Sequence, residues 1–191
     1  RDFAEEWLAG VRGVELFEAW RAFYPGMAER YAAADPKRRL RWAGPDMSVR
    51  SSITARQMET WAHGQAVYDL LGVERVDEDR IGNIAFLGVN TFAWTFRNRG
   101  LDVPETVPCV RLSAPSGTSW TWHEPDRGES ISGSATGFCQ VVTQTRNVAD
   151  TDLVVVGDTA TRWMEMAQCF AGPPVDPPAP GTRRAEHGRR S

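Results

Sequence analysis

The chain has 191 residues, a mass of 21.3 kDa and a formal net charge of −3, which indicates one domain or two small ones. With 41% hydrophobic and 25% charged residues, its composition is that of a globular protein and excludes a disordered or collagen-like chain. No apolar run approaches the ~18 residues that a membrane-spanning helix needs. The pI of about 5.7 does not predict a nucleic-acid interface, so we expect neither membrane nor nucleic acid as a partner.

The first hundred residues carry the apolar period of three to four that is typical of amphipathic helices. This period predicts a first helix over 14–34. A second helix is predicted from an N-cap at Ser48 to a stop at Gly72, and a third from about 77 to 98. Three helices joined by short loops predict an antiparallel bundle, which we place in a domain over residues 1–103.

After Pro104 the pattern changes to the alternation and short apolar runs that are typical of strands. The predicted strands cover 107–112, 118–122, 129–134 and 152–158, and the predicted helices cover 135–145 and 159–170. The sequence therefore predicts an α+β protein, with a small α+β domain over 104–172. Pro, Gly and Arg dominate from Pro173 onward, which predicts a disordered tail over 173–191.

The three cysteines, Cys109, Cys139 and Cys169, lie far apart and form no C-x-x-C pair. An odd number of cysteines without a secretory leader indicates reduced thiols in a cytoplasmic protein. We therefore expect each of them to be a small buried hydrophobic residue.

Glu59 and His63 are the residues most suggestive of chemistry, because a four-residue spacing places them one turn apart on one helical face. A carboxylate and an imidazole in this arrangement can hold a divalent cation, but an ordinary surface contact gives the same spacing. A zinc site also needs at least three protein ligands, and no third is evident nearby. Since Met58, Trp61 and Val67 surround the pair, we expect both side chains to point between the helices.

Four segments of the chain together resemble a known family: residues 42–65, 118–122, 138–146 and 167–172. They are similar to actinobacterial proteins with a mycothiol-dependent maleylpyruvate isomerase-type, DinB-like metal-binding domain. The resemblance is closest to an uncharacterised branch of that group and covers roughly residues 2–174.

The resemblance implies a four-helix bundle whose metal, usually zinc, is held by a His, a Glu and a second His. Glu59 and His63 match the last two ligands. The first His belongs to an earlier helix and no His precedes His63, so we expect an N-terminally truncated chain with that ligand upstream of Arg1. The second domain is implied to be sterol-carrier-protein-like. Arg146 matches an arginine implicated in catalysis, although a cation that stabilises a helix C-terminus is an alternative role.

The function implied is metal-activated thiol chemistry on a small-molecule substrate, with Zn²⁺ or another divalent metal and mycothiol as cofactors. Three protein ligands would leave an open position where a bound thiol loses its proton and becomes a nucleophile. Two alternatives stay open: a non-catalytic metal-binding or regulatory protein, and a carrier of small apolar ligands built on the second domain.

Overall fold

The computed structural model describes residues 10–41, 46–124 and 128–183. The chain divides into two compact units, Arg1–Ile53 and Thr54–Ser191. The predicted domain boundary, between residues 103 and 104, differs from this division. The helices that precede residue 104 pack on helices that follow it, so both sets belong to the second unit.

The first unit contains helix α1 (Gly13–Ala33) and the short antiparallel strands β1 (Arg39–Leu40) and β2 (Met47–Ser48). Helix α2 (Val49–Leu71) begins in this unit and continues into the next. The Ser48 hydroxyl accepts a hydrogen bond from the Ser51 amide at 3.0 Å, as an N-cap does. Gly72 follows the helix with φ +62°, so both predicted ends of α2 are confirmed.

The apolar stripe of α1 differs from its expected role as a buried bundle face. No residue of α1 is buried, and Phe17, Trp20 and Tyr24 are 44% to 55% exposed. The aromatic rings of Trp20 and Tyr24 contact each other at 5.0 Å on the helix surface. Among the described residues, the predicted antiparallel bundle is therefore not confirmed.

The second unit combines helices with a four-stranded mixed sheet, which confirms the α+β class. Its helices are α3 (Gly82–Asn90), α4 (Phe92–Asn98), α5 (Ala135–Val142) and α6 (Asp158–Met166), with 3-10 turns at Asp79–Ile81 and Val148–Asp150. Its strands are β3 (Cys109–Ser113), β4 (Ser119–Trp122), β5 (Ser130–Ser134) and β6 (Val154–Val156). The strand order is β4-β3-β5-β6, in which β3 and β5 are parallel and the other neighbours antiparallel.

The single third helix predicted over 77–98 is instead a 3-10 turn followed by two α-helices that meet at Thr91. The Thr91 hydroxyl donates to the carbonyl oxygens of Leu87 and Gly88, each at 2.9 Å. A side chain that bonds its own preceding turn competes with the helical ladder. The break lets α3 pack on α5 and α4 pack on α6.

Large aromatic side chains fill the core between these helices. The ring of Trp163 meets Phe92 edge-on at 5.1 Å and Phe138 at 5.9 Å. Gly88 permits the close approach of α3 to α5, because a Cβ atom there would stand 2.8 Å from Val142 Cγ2.

Residues 173–183, which we call the C-terminal strap, differ from the predicted disordered tail. The strap is held on the second unit by polar side chains: Gln168 accepts from the Val175 amide at 3.0 Å, and Gln144 donates to the Val175 carbonyl at 2.8 Å. Arg99 forms an ion pair with Asp176 at 2.8 Å. The rest of the predicted tail, 184–191, lies outside the described residues.

Candidate functional site

Glu59 and His63 lie one turn apart on α2, with 3.3 Å between Glu59 Oε2 and His63 Nε2. Their shared helical face is therefore confirmed. Their expected direction into the protein interior is wrong, because the side chain of His63 is 86% exposed and that of Glu59 is 53% exposed. An exposed pair of this kind contributes only a few tenths of a kcal/mol, roughly, to a helix.

These two residues alone do not fit a zinc site. Within residues 10–41, 46–124 and 128–183, no group of three or more His, Cys, Asp or Glu side chains is placed to hold a metal ion. Zinc in proteins takes at least three protein ligands, so the described part of the chain supplies an incomplete set.

The three cysteines are free and buried, as the sequence predicts. Burial raises the pKa of the Cys169 thiol to about 12, with a further contribution from the negative charge of Glu59. Burial likewise raises the pKa of Cys139 well above its usual range. Both side chains stay protonated near neutral pH, which makes them unsuitable as nucleophiles or metal ligands.

Arg146 lies just beyond α5 and forms a two-bond ion pair with Asp69 near the end of α2. Its Nη1 donates to Asp69 Oδ2 at 2.8 Å, and its Nη2 donates to Asp69 Oδ1. Nη1 also donates to the Thr145 carbonyl at 2.8 Å. With only 11% of its side chain exposed, Arg146 is held firmly by a distant helix, and its bond to the Thr145 carbonyl is also compatible with the alternative role of a cation that stabilises a helix C-terminus.

Asp69 is kept ionised by its neighbours. Burial by itself raises its pKa, but hydrogen bonds from Arg146 and Gln65 and the positive charge of Arg146 outweigh burial, so the pKa lies below its ordinary value of 3.8. The Gln65 amide nitrogen donates to Asp69 Oδ1 at 3.0 Å. Asp69 is therefore a carboxylate throughout the neutral pH range.

A cavity of about 380 Å³ lies beside this ion pair, and we call it the Arg146 cavity. Its volume is in the range of ligand pockets, roughly 300–1,000 Å³. Its lining is mainly polar and comes from α2, the loop after it and the region of α5: Gln65, Tyr68, Asp69, Gly72, Val73, Glu74, Arg75, Thr136, Gln140 and Arg146. The lining favours a polar ligand over an apolar one.

Arg75 is fixed in the wall of this cavity by aromatic rings and a buried carboxylate. Its guanidinium carbon lies 4.7 Å from the ring centroid of Trp61 and 5.2 Å from that of Tyr68. Its Nε is 3.2 Å from Asp77 Oδ1, and the Asp77 side chain is only 6% exposed. Asp77 also accepts from Trp61 Nε1 at 2.8 Å and from the Thr136 hydroxyl at 2.9 Å, which joins α2 to α5.

Gln65, one of the lining residues, carries an unsatisfied polar atom that is closed off from solvent. The residue is 5% exposed, and its Oε1 has no hydrogen-bond partner among the described residues. An unpaired buried acceptor costs about 1–3 kcal/mol.

The structure does not bring the predicted residues together into one site. Arg146 pairs with Asp69, while Glu59 and His63 lie about 120° away around α2 from Gln65 and Asp69, given 3.6 residues per turn. Gln65, Asp69, Arg75 and Asp77 were not among the site residues predicted from the sequence. The four-residue spacing of Gln65 and Asp69 was the available local signal for two of them.

A second cavity, of about 360 Å³, lies within the first unit. Its lining is largely apolar and comes from α1, β1 and the start of α2: Ala22, Phe23, Gly26, Met27, Arg30, Tyr31, Ala34, Arg38, Leu40 and Val49. This composition suits an apolar ligand, in contrast to the Arg146 cavity.

A family-model match and a match to two mycobacterial proteins show which known proteins the chain is similar to. Residues 2–68 match the family model for the mycothiol maleylpyruvate isomerase N-terminal domain. Two uncharacterized proteins of Mycobacterium tuberculosis, from strains CDC 1551 / Oshkosh and ATCC 25618 / H37Rv, are each 43% identical to the chain over 173 residues. That region spans 91% of this chain and 67% of each relative. No solved protein structure matches the chain.

Among the described residues, no helix is both long and apolar enough to cross a membrane. The family-model match and the two mycobacterial relatives confirm the resemblance seen in the sequence. The chain therefore belongs to the mycothiol-dependent maleylpyruvate isomerase-like family, in the actinobacterial branch that includes these mycobacterial proteins.

Proposed function

We propose that the protein binds a small polar molecule in the Arg146 cavity and takes part in thiol-dependent isomerase or transferase chemistry, with mycothiol as the thiol cofactor. The observation that carries this proposal is the convergence of Gln65, Asp69, Arg75 and Arg146 on one polar cavity of about 380 Å³. The family match supports the thiol cofactor.

Arg146 would orient an oxygen of the bound molecule. Its three hydrogen bonds to Asp69 and Thr145 leave further N–H groups of the guanidinium available as donors. Because Asp69 fixes the plane of the guanidinium, those groups are held in a defined direction before the ligand arrives. Arg146 is thus our candidate catalytic residue, with Asp69 as its positioning residue.

Titration calorimetry with mycothiol tests the proposal on the unmodified protein and the Arg146→Ala and Arg146→Lys variants. We expect Arg146→Ala to weaken binding by at least ~10-fold and Arg146→Lys to restore part of it, because lysine keeps the charge but not the planar fork. Arg80→Ala is the matched control, since Arg80 is 70% exposed, lies outside the cavity lining and forms a surface ion pair with Glu78. Equal affinity of all four proteins, or no binding by any, would contradict the proposal.

Turnover then distinguishes the reaction types. Mycothiol-dependent conversion of maleylpyruvate would indicate an isomerase, and mycothiol conjugation to an uncharged electrophile such as 1-chloro-2,4-dinitrobenzene would indicate a transferase. Binding without either reaction would favour the non-catalytic alternative.

We further propose Glu59 and His63 as two ligands of a divalent metal, with zinc as the first candidate and the remaining ligand outside the described residues. The supporting observation is their 3.3 Å separation on one accessible face. Zinc titration should show weak binding that depends on His63. His63→Ala should abolish it. Identical titrations of both proteins would remove this proposal.

The apolar cavity of the first unit supports a second candidate function, the binding of a small apolar ligand. Nile red, an uncharged apolar dye, is a suitable probe. Gly26 lines the cavity and has open space where a Cβ atom would stand, so Gly26→Leu should partly fill it and weaken dye binding several-fold. Ala28→Leu, at an exposed position on the same helix that does not line the cavity, should leave dye binding unchanged.

A further inference from the structure

We propose that Asp69 makes the Arg146 cavity selective for ligands that carry no negative charge. This inference rests on the proposed function only in treating the cavity as a ligand site. It assigns Asp69 a role in specificity in addition to its role in positioning Arg146.

The first observation is the charge balance of the lining. Arg146 is neutralised by Asp69 through two hydrogen bonds, and Arg75 is neutralised by Asp77 at 3.2 Å. Glu74 also lines the cavity and has no ion-pair partner among the described residues. Within the lining, an anionic ligand would therefore meet two guanidinium groups that are already paired and one carboxylate that is not, which disfavours its entry. Arg183, outside the lining, also acts on Asp69 through its positive charge.

The second observation is that Arg146 is not free to leave Asp69. Its side chain is 11% exposed, and Nη1 is held by the Thr145 carbonyl as well as by Asp69. An incoming anion could reach only the remaining N–H groups of a guanidinium whose charge is already balanced by Asp69, and Gln65 further holds that carboxylate in place. Replacing Asp69 by its uncharged isostere should release the positive charge of Arg146 without changing the shape of the site.

The experiment compares two probes of nearly equal shape, succinate and its uncharged diamide, succinamide. NMR titrations give the ratio of their dissociation constants. For the unmodified protein we expect succinamide to bind at least ~10-fold more tightly. In Asp69→Asn, succinate should gain at least ~10-fold and become the preferred probe.

Two further variants locate the effect. Adding Arg146→Ala to Asp69→Asn should remove the gain, because the released charge belongs to Arg146. Glu105→Gln also removes one negative charge but lies at an exposed position outside the cavity lining, so it should leave the ratio unchanged. If circular dichroism shows that Asp69→Asn does not fold, Asp69→Ser removes the same charge and leaves room for water around Arg146.

The proposal is overturned if the unmodified protein binds succinate as tightly as succinamide, or if the folded Asp69 variant gains no affinity for succinate. Failure of the proposed function has a different signature, because it is an absence of mycothiol binding. A gain of succinate binding in Asp69→Asn would still establish the selection of charge in that case.

Discussion

Asp69 and Arg146, 77 positions apart in the chain, face each other in a two-bond ion pair that ties α2 to the residues after α5. Both side chains are largely withdrawn from solvent, at 23% and 11% exposure. Charged hydrogen bonds in such a setting are stronger than those on an open surface. The pair therefore acts both as a link between distant segments and as one wall of the Arg146 cavity.

The pH dependence of stability should report this ion pair. Because the pKa of Asp69 is lowered on folding, its contribution is fully present above the unfolded-state pKa and is lost as pH falls through the lower folded-state pKa. We expect Asp69→Asn to lower the free energy of unfolding by about 1–3 kcal/mol near neutral pH. Urea denaturation should show the difference shrinking below about pH 4, since a protonated aspartate resembles asparagine. A difference that stays constant into strong acid would contradict this prediction.

Asp77 is a second buried carboxylate whose loss should be more costly. It accepts hydrogen bonds from Trp61 and Thr136 and faces Arg75, with only 6% of its side chain exposed. Asp77→Ala leaves these donors unpaired, so we expect a loss of about 3–5 kcal/mol in the free energy of unfolding. Its neighbour Glu78, 67% exposed and paired with an exposed arginine, is the control; Glu78→Ala should cost less than about 1 kcal/mol. Equal losses would show that burial does not set the contribution of Asp77.

The three cysteines should not react with thiol reagents in the native protein. Cys109, Cys139 and Cys169 are all buried, and burial raises the pKa of Cys169 to about 12. With 5,5′-dithiobis(2-nitrobenzoate), no thiol should react rapidly in native buffer, and all three should react in denaturant. Ser113→Cys, at an exposed position of β3, should add one fast-reacting thiol as a control. Fast reaction of the unmodified native protein would contradict the buried placement.

Two helix glycines should respond in opposite directions to alanine. At Gly88 a Cβ atom would stand 2.8 Å from Val142 and 2.9 Å from Phe138, so Gly88→Ala should destabilise the protein by about 1–3 kcal/mol. At Gly64 the nearest atom is an Arg75 nitrogen at 3.8 Å, an ordinary contact. Gly64→Ala should therefore stabilise α2 by up to about 1 kcal/mol. Thermal unfolding midpoints that move in the same direction would contradict the packing described for α3 and α5.

The parts of the fold that could be predicted are those set by neighbouring residues. Ser48 and Gly72 mark the ends of α2 because capping needs only a side-chain oxygen at one end and a positive φ at the other. The strand alternation after Pro104 likewise gave the correct class and the approximate positions of β3 to β6. The break at Thr91 was missed, since it depends on one hydroxyl bonding its own turn.

Only some residues of the candidate site could be predicted from the sequence. Arg146 came from a resemblance, but nothing local indicates that Asp69 is its partner, because a pairing across 77 positions is decided by the packing of α2 and α5. The same holds for the parallel pairing of β3 with β5, which brings together strands separated by β4. The spacing of Glu59 and His63 fixed their shared face, but the direction of that face depends on what packs around the helix.

The C-terminal strap has a practical consequence for anyone who shortens this protein. Composition alone suggests truncation after Gly172. That truncation would remove the strap residues that form hydrogen bonds or ion pairs with Gln168, Gln144 and Arg99. The side-chain amides of Gln168 and Gln144, which are buried, and the largely buried guanidinium of Arg99 would then each lack a polar partner. A shortened protein of that kind would be expected to express poorly for reasons unrelated to its chemistry, whereas one that retains the residues through Arg183 keeps every contact described for the strap.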